Sequence, residues 1–188
     1  MNPRTTRNLP CDTKMKIKIT ESIIDDIKKG FVLGPLDKQP PGHFQLACGG
    51  VYKKVPLGSH KEPKARPIHH ASHPRKTRTS LNDGIPQHYK SVKFISFEQL
   101  VSMIQNLGEK AWLFKSDAES AYRQIPVHPE DQKFLSSKWF GMWFRQPRLV
   151  FGVGSAVFIY TELITKPLEF VLIKIHPSLH KAKHQRLH

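Results

Sequence analysis

The segment KSDAESAYRQIPVHPED, Lys115 to Asp131, constrains this chain most. Ahead of it, Ala111, Leu113 and Lys115 alternate with Trp112, Phe114 and Ser116. Both faces are apolar at first and turn polar at the end. That pattern predicts a sheet strand leaving the core at its C-terminal edge, with Asp117 at the mouth of the sheet, where ligands bind. Pro126 and Pro129 then hold the following chain extended, because a residue before proline avoids the helical region. Read alone, an Asp before Glu and Ala is also an ordinary helix cap.

The remaining elements follow from the same periodicities. Residues 1–13 are expected to be disordered. Met15, Ile17 and Ile19 alternate with lysines as in a short exposed strand. Thr20 caps a helix whose apolar face is Ile23, Ile24 and Ile27, ending at Lys28, Lys29 and Gly30. Residues 34–47 read as a Pro/Gly loop. Gly50 to Val55 and Arg66 to Ala71 pair as a hairpin, and Lys76 to Tyr89 is irregular. Ser96 with Gln99 makes a capping box. The helix it opens buries Phe97, Leu100, Val101, Ile104 and Leu107 and stops at Gly108. A short helix is expected near Pro129 to Leu135 and a strand from Lys138 to Phe144. Ser155 caps a final buried helix that Pro167 kinks or ends.

The charge is one-sided: 30 Lys and Arg stand against 15 Asp and Glu, a formal net charge of +15. Such a balance favours a polyanionic partner, most simply nucleic acid. The excess concentrates at Lys53, Lys54, Lys61, Lys64, Arg66, Arg75, Lys76, Arg78, Lys90 and Lys93, with only Glu62 and Asp83 among them. Tyr52, Tyr89 and Phe94 are interleaved and suit base stacking. Cys11 and Cys48 have no metal-ligand spacing and form no disulfide framework. No apolar leader opens the sequence, and charges interrupt the longest apolar run, Val157 to Ile175. An intracellular protein, cytoplasmic or nuclear, with no membrane partner is expected. His69, His70 and His73 lack a fourth ligand for zinc. His176, His180, His184 and His188 fall on one helical stripe, although a basic, frayed tail is the simpler reading.

Four ordered motifs, taken together, resemble the reverse transcriptases of retroelements, nearest to the DIRS-type and akin to the retroviral and Gypsy-type enzymes. They are KARPIHHASHP (64–74), SLNDGIP (80–86), KSDAESAYRQIPVHPED (115–131) and LVFGVGSAVFIYTELITKPL (149–168). GFVLGPL and GGVYKKVP fit the family's N-terminal approach more weakly. The resemblance covers residues 25–172. It implies an α+β chain with a partial right-hand polymerase fold, fingers plus incomplete palm. The implied organisation is an N-terminal extension over 1–44, partly disordered, and a fingers-like basic segment over 45–95. An incomplete palm over 96–172 and a basic, His-rich tail over 173–188 follow.

Its implied chemistry is nucleotidyl transfer by two Mg²⁺ ions about 3.5–4 Å apart. Asp117 is then the catalytic, metal-bridging carboxylate, and the carbonyl of Ala118 is a further metal ligand. Tyr122 becomes the ring that blocks a ribose 2′-hydroxyl. Lys64 and Arg66 meet the triphosphate, as a guanidinium fork suits phosphate. Phe151 and Gly152 pack under the nucleotide. Lys53, Lys54, Arg75, Lys76, Arg78 and Asn82 are assigned to nucleic acid. The implied ligands are primer–template RNA or DNA, a deoxynucleoside triphosphate and Mg²⁺ or Mn²⁺.

Two departures from the pattern matter. Val150 and Val157 stand where the family has proline. The family's third palm motif, an aromatic-x-Asp-Asp hairpin that supplies the other carboxylates, has no counterpart: the only Asp-Asp pair is Asp25-Asp26. The expected function is therefore a reverse-transcriptase-like fragment, inactive alone. A non-enzymatic nucleic-acid-binding protein is the alternative, and a second chain supplying the missing motif is a third. The strand bearing Asp117, lacking its hairpin neighbour, is expected to be an exposed, aggregation-prone edge.

Overall fold

The computed structural model describes residues 5–54, 65–75, 79–110, 113, 115 and 117–175. Helix α1 spans Thr13–Lys28, β1 Leu33–Leu36, β2 Gln45–Tyr52 and β3 Ala65–His70. Helix α2 (Phe97–Leu107), β4 (Ser136–Trp139), β5 (Met142–Arg145) and α3 (Ala156–Ile175) follow. Short 3-10 turns at Leu81–Gly84, Gln87–Lys90, Ala121–Gln124 and Gln132–Leu135 connect them. The strands make one mixed sheet in the order β1-β5-β4-β2-β3. Only β2 and β4 run parallel, through Gln45↔Ser136 and Leu46↔Ser137. The chain is thus α+β, as expected.

Helix α1 begins earlier than its periodicity suggested. Asp12, not Thr20, is the cap: the Met15 N–H donates to Asp12 Oδ1 at 2.7 Å. The 15–19 alternation is therefore helical rather than stranded. Met15 and Ile19, four residues apart, share the buried face with Val32, Cys48, Trp139 and Phe144. Burying a side chain such as Ile19 contributes about 1.5–3 kcal/mol. Ile23 and Ile27 pack on this cluster, as read, but Ile24 stays exposed.

Residues 5–12 are docked, in contrast to the disorder expected over 1–13. Asn8 fills the fork where β2 and β4 diverge. Its Oδ1 accepts from the Cys48 N–H at 3.0 Å, and its Nδ2 donates to the Lys138 carbonyl at 2.7 Å. Leu9 N–H adds a bond to the Cys48 carbonyl. Strand β1, overlapping the start of the expected 34–47 loop, pairs with β5. Residues 5–44 are therefore integral to the body, not an extension of it.

The expected hairpin is present: β2 and β3 pair from Ala47↔His70 to Tyr52↔Ala65. The expected 138–144 strand is a tight hairpin, because Phe140 and Gly141 take positive φ (45° and 83°) and turn the chain between β4 and β5. The sheet crosses the expected 95/96 boundary, since β4 pairs with β2. A second cluster lies beyond it, with Leu46, Ala71, Leu135, Leu149, Val150, Val153 and Ala156 buried. Val150 is fully buried.

Helix α2 has its capping box and ends at Gly108, which takes φ 78°. Its apolar face is nonetheless largely open: Phe97 is 74% and Leu107 63% exposed and Leu100 is exposed, while Val101 and Ile104 are half-buried. Periodicity registers the face, but no described element lies opposite it. Helix α3 likewise runs through Pro167 and leaves Leu163, Ile164, Leu168 and Phe170 exposed. Among the described residues no helix is long and apolar enough to cross a membrane. The expected strand at 111–117 is absent among the residues described there: Leu113, Lys115 and Asp117 join no ladder. The His176–His188 stripe lies outside the described residues.

Candidate functional site

Tyr122 sits on the 3-10 turn Ala121–Gln124. Its ring lies 4.4 Å from that of Phe151 and 5.6 Å from that of Tyr160. Burial, with Tyr160 adding to it, raises its phenol pKa. Two residues read separately from sequence, Tyr122 and Phe151, thus form one aromatic step, with Phe151 60% exposed. Gly152 follows at φ 98°, where its missing side chain is required twice over. A Cβ there would lie 2.0 Å from the His69 carbonyl oxygen, so the loop rests directly on β3.

Asn82 ties the same loop to the 80–86 segment. Its Nδ2 donates to the Gly152 carbonyl (2.9 Å) and to Ser72 Oγ (2.7 Å), while its Oδ1 accepts from the Gly154 N–H (2.7 Å). Lys90 Nζ donates to the Asn82 carbonyl. Both Asn82 amide hydrogens and one lone pair of its side-chain oxygen are thus engaged within the protein. The motif segments 64–74, 80–86 and 149–168 meet here.

Beneath this step lies a polar network that the sequence reading did not foresee. Arg123 donates to Asp26 Oδ2 and to Gln146 Oε1, each at 2.7 Å. The Gln146 amide nitrogen faces His69 Nε2 and Ser137 Oγ, both at 3.4 Å. Because Gln146 Oε1 accepts from Arg123, its NH₂ is turned toward His69, which must accept through an unprotonated Nε2. Burial, helped by the Arg123 charge, pushes the His69 pKa down to about 3. Burial lowers the Arg123 pKa, while Asp26 opposes that shift. A cavity of about 190 Å³ lies among Asp26, Cys48, His69, Ser120, Arg123 and Phe151. The pair is invisible in sequence because 97 residues separate its members. The one available signal was an aspartate beside the apolar face of a helix.

The other expected site residues are spread out. Asp117 and Ala118 are exposed on the approach to the Tyr122 turn. Arg66 is exposed on β3 opposite Val51, and Lys53 and Lys54 are exposed just past β2. Arg75 is exposed and meets His70 Nε2 at 3.3 Å. Burial, then Arg75, lowers the His70 pKa. Lys64, Lys76 and Arg78 lie outside the described residues.

A two-metal centre does not fit this donor set. Mg²⁺ needs oxygen ligands in near-octahedral array, and paired ions need several bridging carboxylates. Among the described residues no three His, Cys, Asp or Glu side chains stand where they could hold one ion. Asp117 is a single carboxylate. The geometry offers an aromatic step, a supporting polar network and exposed cations at Lys53, Lys54 and Arg66.

No protein-family model and no curated protein matches this sequence. Solved structures do. The native prototype foamy virus protease-reverse transcriptase aligns at TM-score 0.59 and 16% identity, over 93% of this chain and 20% of that one. A CSH mutant of that protein aligns at TM-score 0.59 and 17% identity, over 90% and 20%. The dRH form of the foamy viral protein, in complex with double-stranded DNA, aligns at TM-score 0.57 and 17% identity, over 90% and 26%. The chain therefore has a reverse-transcriptase-like fold and spans about a fifth to a quarter of the length of these proteins.

Proposed function

We propose that this chain is a fingers-and-palm unit of a retroelement reverse transcriptase, DIRS- or Gypsy-like, that binds nucleic acid and is inactive on its own. The observation that carries the proposal is the meeting of Tyr122, Phe151 and Gly152, held from below by Arg123 and from the side by Asn82. Three separate sequence motifs converge on that one step. In this reading Arg66, Lys53, Lys54 and Arg75 contact phosphates. Tyr122 faces the sugar of a nucleotide lying on Phe151. Asp117, with the Ala118 carbonyl, holds at most one weakly bound Mg²⁺ or Mn²⁺. The reading places the protein in the cytoplasm or nucleus.

Primer–template binding, measured by fluorescence anisotropy against salt, tests it. Arg66→Gln and Lys53→Gln each lower the slope of log K against log salt by about 0.9 for a duplex phosphate contact. Absence of measurable binding at low salt refutes the proposal. Primer extension with Mg²⁺ or Mn²⁺ gives no product from the chain alone; extension that Asp117→Asn abolishes overturns the inactivity. Extension appearing only with an added polypeptide bearing an aromatic-x-Asp-Asp hairpin identifies a partner that completes the palm.

A further inference from the structure

On the sheet face turned away from α1, the Nε of a half-buried guanidinium is enclosed without a hydrogen-bond partner. Met142 and Phe144 of β5 pack with the α1 cluster, so Arg145, one position on, projects from the opposite face. Arg145 is half-buried, and its Nε is enclosed with no hydrogen-bond partner. Among the described residues no carboxylate pairs with it. Buried donors of this kind are nearly always satisfied, and an orphan marks a place for a water, an ion or a ligand.

Two more potential donors, a neutral imidazole and an ammonium, converge on the same place from different elements. His43 Nδ1 is 2.6 Å from Ser136 Oγ, and Ser136 stands directly opposite Arg145 in the β4–β5 ladder. The Lys133 carbonyl accepts from Phe44 N–H at 2.7 Å, which sets Lys133 beside His43. The charged groups acting on His43 are Arg145 and Lys133, and burial, then these two cations, lowers its pKa. Lys138 extends the patch, with Nζ 5.6 Å from the Trp143 ring centre. Uncompensated cations packed together repel one another, and an anion between them removes that repulsion.

We propose that Arg145, with Lys133 and His43, binds a backbone phosphate of nucleic acid on the face of the sheet opposite α1. The oxyanion accepts from the Arg145 Nε–H and neighbouring guanidinium donors, a geometry suited to phosphate. Only the source of the phosphate rests on the nucleic-acid reading above; the oxyanion site stands on the orphan donor.

The test uses the full chain labelled with ¹⁵N. The Arg145 Nε–H resonance is assigned by its loss in Arg145→Gln, then followed during titration with inorganic phosphate and, separately, with oligothymidylate. Saturable movement with both is expected. Arg145→Gln and the exposed-site variant Lys133→Gln each lower the salt slope of oligothymidylate binding by about 0.7 per lost single-strand contact. Lys133→Gln carries the slope measurement if Arg145→Gln does not fold. Oligonucleotide binding that depends on Arg66 while the Arg145 resonance stays still overturns this inference and leaves the proposed function standing. Movement with phosphate alone reduces the site to an ion site and overturns the backbone assignment. No oligonucleotide binding by the wild-type chain refutes the proposed function instead, and a resonance also unmoved by phosphate refutes the oxyanion site.

Discussion

Lowering the pH from 7 to 5 destabilises this fold through His69. The ring accepts from Gln146 through Nε2, and protonation replaces that acceptor with a donor facing an NH₂ group beside Arg123. The folded-state pKa is about 3, against 6.5 for the unfolded chain. Between those values the unfolded state binds more protons, so stability rises with pH and is lost as pH falls below 6.5. At about 1.4 kcal/mol per pH unit below the unfolded pKa, the loss between pH 7 and 5 is ~2 kcal/mol. With a urea m-value of about 2 kcal/mol/M, the unfolding midpoint falls by ~1 M. The pKa values of His43 and His70 are also lowered, so they contribute with the same sign. His69→Gln isolates the buried ring, because its midpoint retains only their share of the slope. Midpoints of the two proteins running parallel from pH 7 to 5 refute the reasoning.

Asp26→Asn leaves Arg123, whose side chain is only 12% exposed, without its carboxylate. Loss of one partner of a buried pair costs about 3–5 kcal/mol, and the partial exposure of Asp26 sets the lower end here; a chemical-denaturation loss under about 0.5 kcal/mol contradicts this account. Gly152→Ala forces a Cβ to within 2.0 Å of the His69 carbonyl. It lowers Tm and disperses the Tyr122–Phe151 ring-current shifts seen by NMR, whereas unchanged shifts show that the loop does not rest on β3.

How much was legible follows from where each signal resides. Ser96, Gln99 and Gly108 act within their own turns, so the limits of α2 could be read directly. The β2–β3 hairpin was legible too, since its strands are near neighbours in sequence. Asp12 was missed as a cap because lysines between Met15 and Ile19 mimic the alternation of a strand. β1 was missed because Gly34 and Pro35 read as loop formers, whereas they form the edge strand beside β5. The exposed face of α2 shows the limit of periodicity: it says which side is apolar, not whether anything covers it. The motifs singled out Tyr122, Phe151 and Gly152, and the fold brings Tyr122 against Phe151. Asp26–Arg123 and the Arg145 cluster were not, as both depend on residues brought together only by the sheet.

The fork that Asn8 fills also orders events during synthesis. Its second bond is to Lys138, 130 residues further on. While a nascent chain lacks β4, Asn8 can meet Cys48 but has nothing on its other side. Thr6, Leu9 and Asp12 also bond to β2, so segment 5–12 can dock early, but its bond to Lys138 and the pairing of β1 wait for the β4–β5 hairpin. One bond of the opening segment thus waits for residue 138, so the time spent translating the middle is time spent with the β4 side of β2 open. Slowing translation before codon 136 lengthens that window, and the strand edges of β2 are what it leaves exposed.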